Sequence, residues 1–237
     1  MLMSIFTVKK TCIAPYLGIV PYERALKLQQ RLAQARVEGR IGDVLVLLQH
    51  PPIFTIGRFR GEKDIAVPQE TLAREGIAVF HTDRGGGITY HGPGQLVGYP
   101  ILNLQENGLS VREYIRKLEA TIIKTMLALG VQAHGVAEYS GVWVGEKKVC
   151  SIGIHVNHHV TTHGFALNVS NDLRYFEYVR PCGLSGQVMT SVSELLGHPV
   201  GMETIVEKLL PFFSETFCLS GEQESDRWLS ILDAPNG

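Results

Sequence analysis

Apolar residues at Tyr22, Ala25, Leu28, Leu32 and Ala35 fall three or four positions apart, the spacing of one face of a helix. Pro21 suits the start of that helix and Gly39 marks its end. Tyr114, Leu118, Ile122 and Met126 repeat the pattern over a longer helix. Ser110 and Glu113 stand before that stripe at capping-box spacing, and Gly130 suits the C-terminal cap. Shorter helices are predicted over 68–75 and 192–196. An amphipathic helix is predicted from Glu203 to Phe217, interrupted at Pro211, because proline removes a helical hydrogen bond.

Other stretches carry the strand pattern. Val44 to Leu48 is a continuous apolar run that predicts a buried strand, and Ile53 to Ile56 resumes after the Gln49-His-Pro-Pro52 turn. Ile77 to Phe80 and Val97 to Leu102 read as further strands. Gly141 to Val144 and Lys148 to Val156 form a hairpin around Gly145-Glu-Lys147, and Thr161 to Val169 continues the meander. Residues 5 to 20 predict an irregular strand and turn, and 170 to 190 are rich in loop. No repeat, linker or composition shift divides the chain. The expectation is one α+β domain over 1–237, a mixed, largely antiparallel sheet with packed helices. Its tail over 220–237 is polar apart from Trp228, Leu229, Ile231 and Leu232.

Composition narrows the function classes. The net charge is −1, which removes a general electrostatic case for nucleic acid. The longest apolar runs are too short for a membrane helix, and the N-terminus lacks a secretory layout. Cys12, Cys150, Cys182 and Cys218 form no C-x-x-C pair. Neither a zinc knuckle nor a disulfide framework is expected, and a cytoplasmic location follows.

Residues 84–98 contain six glycines among fifteen residues. Glycine costs about 0.5–1 kcal/mol relative to alanine in a regular element, so a compensating role is expected. Close approach of backbone to a ligand is the usual one. Arg84, Thr89, Tyr90, His91 and Gln95 add polar groups, and the stretch reads as a cleft wall. The alternative is an awkward turn between strands. Arg58, Arg60 and Lys63 form a basic lip or a solvated loop.

Cys182 lies between Pro181 and Gly183, a context that fixes a thiol in a turn, whereas Cys150 lies within an alternating strand and reads as packing. A nucleophilic thiol near pKa 8.5 needs a group that promotes the thiolate. The candidates are His91, His163, Lys147 and Lys148. Alternation puts Lys148 on the face of Cys150 and Lys147 on the other, and leaves open which lysine meets the cleft. His155, His158, His159 and His163 invite a metal reading. A hairpin tip at His158 and His159 and the lack of a carboxylate among the four favour ordinary polar residues at His155, His158 and His159, while His163 reads as either a satisfied core histidine or a functional one, and no metal is expected.

Four stretches together resemble the lipoyl(octanoyl) transferase family: Arg84-Gly-Gly-Gly-Ile-Thr-Tyr-His-Gly-Pro-Gly-Gln95, Lys148-Val-Cys-Ser-Ile-Gly153, His163-Gly-Phe-Ala-Leu-Asn-Val169 and Pro181-Cys-Gly-Leu184. They occur in the family's order, with no departure from its pattern, and the resemblance covers about residues 10 to 215. It implies the biotinyl/lipoyl protein ligase catalytic fold. The implied reaction moves an octanoyl chain from octanoyl-acyl carrier protein to a lipoyl-domain lysine, the first step of endogenous lipoate biosynthesis. The acceptors would be lipoyl domains of 2-oxoacid dehydrogenase complexes and the glycine cleavage H protein.

By the same resemblance Cys182 is the acyl acceptor and Lys148 its partner. Arg84, Gly85, Gly86, Gly87, Ile88, Thr89, Tyr90, His91, Ser151, Ile152, Gly153, Gly164, Phe165 and Ala166 line the acyl pocket. Gly86, Gly87 and Gly164 are expected to leave room for the chain. No cofactor is implied. The rivals are an ATP-dependent lipoate ligase, which needs no thiol at Cys182, a non-catalytic acyl or lipoyl-domain binder, and a zinc hydrolase built on the histidines.

Overall fold

The computed structural model describes residues 10–13, 16–59, 61–179, 188–217 and 219–220; for 10–13 and 219–220 it describes backbone alone. Arg60, Cys182 with its Pro181 and Gly183 neighbours, Cys218 and the tail beyond 220 lie outside these residues, as does the Cys12 side chain.

The larger sheet is built on β3 (Asp43–Gln49), an apolar run buried on both faces. Antiparallel pairing extends it through β7 (Gln95–Ile101), β11 (Val160–Asn168), β10 (Lys147–Asn157), β9 (Tyr139–Val144) and β8 (His134–Val136). On its other side, β1 (Lys10–Ile13) and β2 (Tyr16–Ile19) each pair in parallel with β3, and β12 (Leu219–Ser220) pairs in parallel with β1. The smaller sheet has β4 (Ile53–Ile56) at its centre, parallel to β5 (Ala78–His81) and antiparallel to β6 (Ile88–His91). The arrangement is α+β, mixed and largely antiparallel, as the hydrophobic pattern predicts.

Helix α1 (Tyr22–Val37) covers one face of the larger sheet, with Ala25, Leu28 and Leu32 packed on Val44, Val46, Leu48 and Val97. On the opposite face, α3 (Val111–Leu127) and α5 (Met202–Phe217) pack against Leu45, Leu47, Leu96 and Leu167. The predicted α3 stripe of Tyr114, Leu118, Ile122 and Met126 is buried, with Leu118, Ile122 and Met126 each stabilising by about 1.5–3 kcal/mol. The capping box forms: Glu113 N–H donates to Ser110 Oγ at 3.3 Å, and Ser110 N–H donates to Glu113 Oε2 at 2.8 Å. Two short helices, α2 (Gln69–Arg74) and α4 (Val192–Leu196), occupy the predicted places.

Two expectations need correction. Helix α5 runs through Pro211 without interruption. Pro211 is on the exposed side, where water can satisfy the carbonyl freed by the missing N–H, while Leu209 and Phe213 bury their side chains on either side of it. The glycine stretch, read from sequence as a cleft wall or an awkward turn, contains a strand in its middle, β6 at Ile88–His91. The pairs Phe54↔Tyr90 and Thr55↔Thr89 with β4 supply the ladder that the isolated sequence does not display.

Candidate active site

The glycine stretch fills the gap between the two sheets. Gly57 N–H donates to Gly87 O at 3.0 Å, Arg58 N–H to Arg84 O at 3.1 Å, and Gly85 N–H to Ile154 O at 2.8 Å. Main chain comes close enough that side chains are excluded at the crossings. A Cβ on Gly57 would meet the Gly86 carbonyl oxygen at 2.5 Å, and one on Gly153 would meet that of Gly85 at 2.9 Å. Gly86 also holds φ +89°, a left-handed conformation that favours glycine.

This crossing walls a cavity of about 380 Å³. Every described member of the predicted pocket set lines it except Tyr90. Strand alternation turns the Tyr90 ring away, into contact with Phe54, Tyr175 and Phe176 at centroid distances of 5.0–5.7 Å. Gly164 lines the cavity, but its lack of a side chain has another cause. A Cβ there would meet Gly98 O at 2.2 Å and Pro100 Cδ at 2.6 Å, so the neighbouring strand, not an acyl chain, excludes it. Val97, Ile115, Ile154, Phe176 and Met189 complete an apolar lining.

Among the described lining residues, the one amine belongs to Lys148. Its Nζ lies 4.7 Å from the centroid of the Trp143 ring, a cation–π contact. Lys147 turns outward and pairs with Glu194 Oε1 at 3.1 Å. Strand alternation separates the two lysines, and a β-bulge follows between Lys148 and Cys150, where Lys148 pairs with Trp143 but Cys150 pairs with Val142. The bulge overturns the expectation that Lys148 and Cys150 share a face. Val149 and Cys150 both enter the core packed by α3 and α5. Burial pushes the Cys150 thiol up to about 12, so it stays protonated at neutral pH.

Polar groups occupy the side of the cavity nearest the smaller sheet. Arg84 is buried, with Nη2 donating to Thr55 O at 2.6 Å and Nε donating to Thr55 Oγ1 at 3.1 Å. His91 Nδ1–H donates to Gln95 Oε1 at 2.7 Å, and burial first, then the positive neighbourhood, holds this imidazole well below its usual range. His163 Nε2–H donates to Asp83 Oδ1 at 2.8 Å. That bond is the main reason the Asp83 carboxyl falls to about 2, while burial lowers His163. His155 Nε2 lies 3.5 Å from the other Asp83 oxygen, so His155 belongs to this cluster rather than to the hairpin tip. His158 and His159 form that tip, both at positive φ.

The family model described as the lipoyl protein ligase A/B catalytic domain matches residues 21–214. An octanoyltransferase of Desulforamulus reducens is 39% identical over 217 residues, which cover 91% of this chain and 95% of that one. The chain belongs to the octanoyltransferase family. It is an acyltransferase by that membership. Its fold is that of lipoate-protein ligase A solved with ATP bound, at TM-score 0.78 and 16% identity over 94% of this chain and 92% of the other. Biotin protein ligase of Aquifex aeolicus has a related fold, at TM-score 0.54 and 14% identity over 86% and 69%.

Several cavity residues of this octanoyltransferase-family chain escape sequence reasoning. Tyr22, Tyr99 and Met189 line the cavity from distant elements. His50 stands behind Tyr99, fully buried, with Nδ1–H donating to Val20 O and Nε2 accepting from Tyr99 O–H, each at 2.7 Å. Burial lowers it to about 4. One signal could have found His50: it precedes Pro51 and Pro52, and a residue before proline is held extended. Arg58 and Lys63 of the basic lip are exposed, and Phe59, which lies between them in sequence and lines the cavity, is 75% exposed.

Proposed function

We propose that this octanoyltransferase carries out the first step of endogenous lipoate biosynthesis through a thioester on Cys182. The donor is octanoyl-acyl carrier protein. The acceptors are lysines on lipoyl domains of 2-oxoacid dehydrogenase complexes and on the glycine cleavage H protein. One catalytic domain over the whole chain serves the reaction in the cytoplasm. Four cysteines without C-x-x-C spacing support that compartment, and no helix among the described residues is long and apolar enough to cross a membrane.

A cavity with an apolar side and, among its described lining residues, one amine, that of Lys148, is the observation behind this reading. An octanoyl tail gains about 0.8 kcal/mol for each CH₂ it buries there. The Lys148 amine takes the Cys182 proton, or its ammonium steadies the thiolate. The sulfur attacks the donor carbonyl, a new C–S bond forms, and the carrier sulfur leaves and takes up a proton. The acceptor amine then attacks the acyl-enzyme, loses a proton and forms an amide, while the Cys182 thiol returns. Exchange of one thioester for another is nearly isoenergetic, and the amide makes the second step downhill, so no nucleotide is consumed.

That last point separates a transferase from a ligase of the same fold. With octanoyl-carrier protein and a lipoyl domain as substrates, transfer should proceed at full rate with ATP omitted. A strict need for ATP would contradict the reading.

A further inference from the structure

Four hydrogen bonds run in one direction from the cavity wall to the backbone of Lys148. His91 Nδ1–H donates to Gln95 Oε1 at 2.7 Å. Gln95 Nε2 donates to Asn168 Oδ1 at 2.9 Å. Asn168 Nδ2 donates to Thr190 O at 3.0 Å. Thr190 N–H donates to Lys148 O at 3.0 Å. Gln95, Asn168 and Thr190 are each about 1% exposed, so water does not compete for these bonds. Each amide is fixed in orientation. Asn168 Oδ1 receives a second donor, Asn171 Nδ2, at 3.2 Å, and Gln95 Nε2 has a second acceptor, Tyr90 O, at 3.2 Å. The bonds through the Gln95 and Asn168 side-chain amides have aligned dipoles that strengthen one another, and the last step is mechanical, since the carbonyl and the N–H of Thr190 belong to adjoining peptide groups.

The end of the chain falls on the residue whose strand is irregular. A bulge leaves part of the local ladder unmade, and here it lies between Lys148 and Cys150. Beside the bulge, Lys148 forms an isolated parallel β-bridge with Met189, and Thr190 N–H is the donor that ties the Lys148 carbonyl to that segment. Asn168 holds Thr190 in turn.

We infer that Asn168, kept in orientation by Gln95, is a positioning residue that fixes the Lys148 bulge and so aims the Lys148 side chain into the cavity. The inference rests on the role proposed above for Lys148, and it assigns Asn168 no contact with substrate.

Asn168→Asp keeps the size and the acceptor oxygen but loses the donor to Thr190 O. A small error in aim can cost on the order of 100-fold in rate. We expect kcat to fall by roughly 10- to 100-fold with KM for octanoyl-carrier protein little changed. We also expect the pH profile of Cys182 alkylation to move toward that of Lys148→Ala. In a Lys148→Ala background the same change should cost nothing further, since both act through one amine. Multiplicative losses in the double variant, or an unmoved alkylation profile in Asn168→Asp, would overturn the inference. Lys148→Ala alone is the separate check: if it leaves the profile unmoved, the role of Lys148 fails first. Should Asn168→Asp fail to fold, Gln95→Glu keeps the acceptor for His91 and loses the donor to Asn168. It should show the same non-additivity with Lys148→Ala, and additivity there is equally decisive against us.

Discussion

Lys147 and Lys148 are adjacent in sequence and opposite in surroundings, one paired with Glu194 in solvent and one lining the cavity. Strand periodicity puts them on opposite faces without saying which face meets the cavity, because tertiary packing decides that. Resemblance named Lys148, and it is Lys148 that lines the cavity. Loss of a positioned proton-transfer group costs about 10²–10⁴ in rate. Lys148→Gln should therefore lower kcat by that order and move the pH optimum upward. Lys147→Gln removes only an exposed ion pair and should leave turnover near wild type. Steady-state kinetics across pH compare the two, and equal losses would deny Lys148 its special place. His50, Tyr22 and Tyr99 were not legible as a group, since only tertiary packing brings β3, β7 and the start of α1 together.

At the scale of elements, the glycine stretch illustrates both what sequence displays and what it hides. Its excess glycine correctly marks a wall of the cavity. The reasons differ among the glycines around the cavity, however: within the stretch Gly86 yields to its backbone angle, and outside it Gly57 and Gly153 yield to crossing carbonyls and Gly164 to strand β7. Gly57→Ala should destabilise by about 1–3 kcal/mol, the usual cost of overpacking, and lower Tm by several degrees, at roughly 2–4 °C per kcal/mol. Gly61→Ala is the control, since a Cβ there has nothing within 4 Å. Thermal unfolding of the two variants reads the difference, and an unchanged Tm for Gly57→Ala would contradict the crossing geometry. The long helices were legible because their apolar stripes and caps are local. Strand β6 was not, because its ladder to β4 is a long-range pairing.

Across the whole molecule, pairings such as β3 with β7 and β7 with β11 join distant segments, so strand order needed the structure whereas the α+β class did not. Three buried imidazoles, His50, His91 and His163, are held neutral, and this shapes stability against pH. For a base lowered in the fold, the unfolded chain binds the proton first. Stability therefore falls as pH drops below the unfolded value of 6.5, until the folded group titrates, at about 4 for His50. His50 alone contributes on the order of 3 kcal/mol to that fall. Asp83 acts later: its contribution is present above 3.8 and is lost as pH falls toward about 2. Denaturant unfolding at pH 7 and pH 4.5 should show lower stability in acid, with a shallower slope in His50→Gln. Equal stability at both pH values would contradict the neutral, buried assignment.

The central claim concerns a covalent bond, and intact mass spectrometry observes it directly. After mixing with octanoyl-carrier protein in the absence of acceptor, the protein should gain one octanoyl group, mapped by peptide analysis to Cys182 and released by neutral hydroxylamine. Cys182→Ala should gain none and transfer none. Undiminished octanoyl transfer by Cys182→Ala, or an octanoyl group mapped to another residue, would contradict the account.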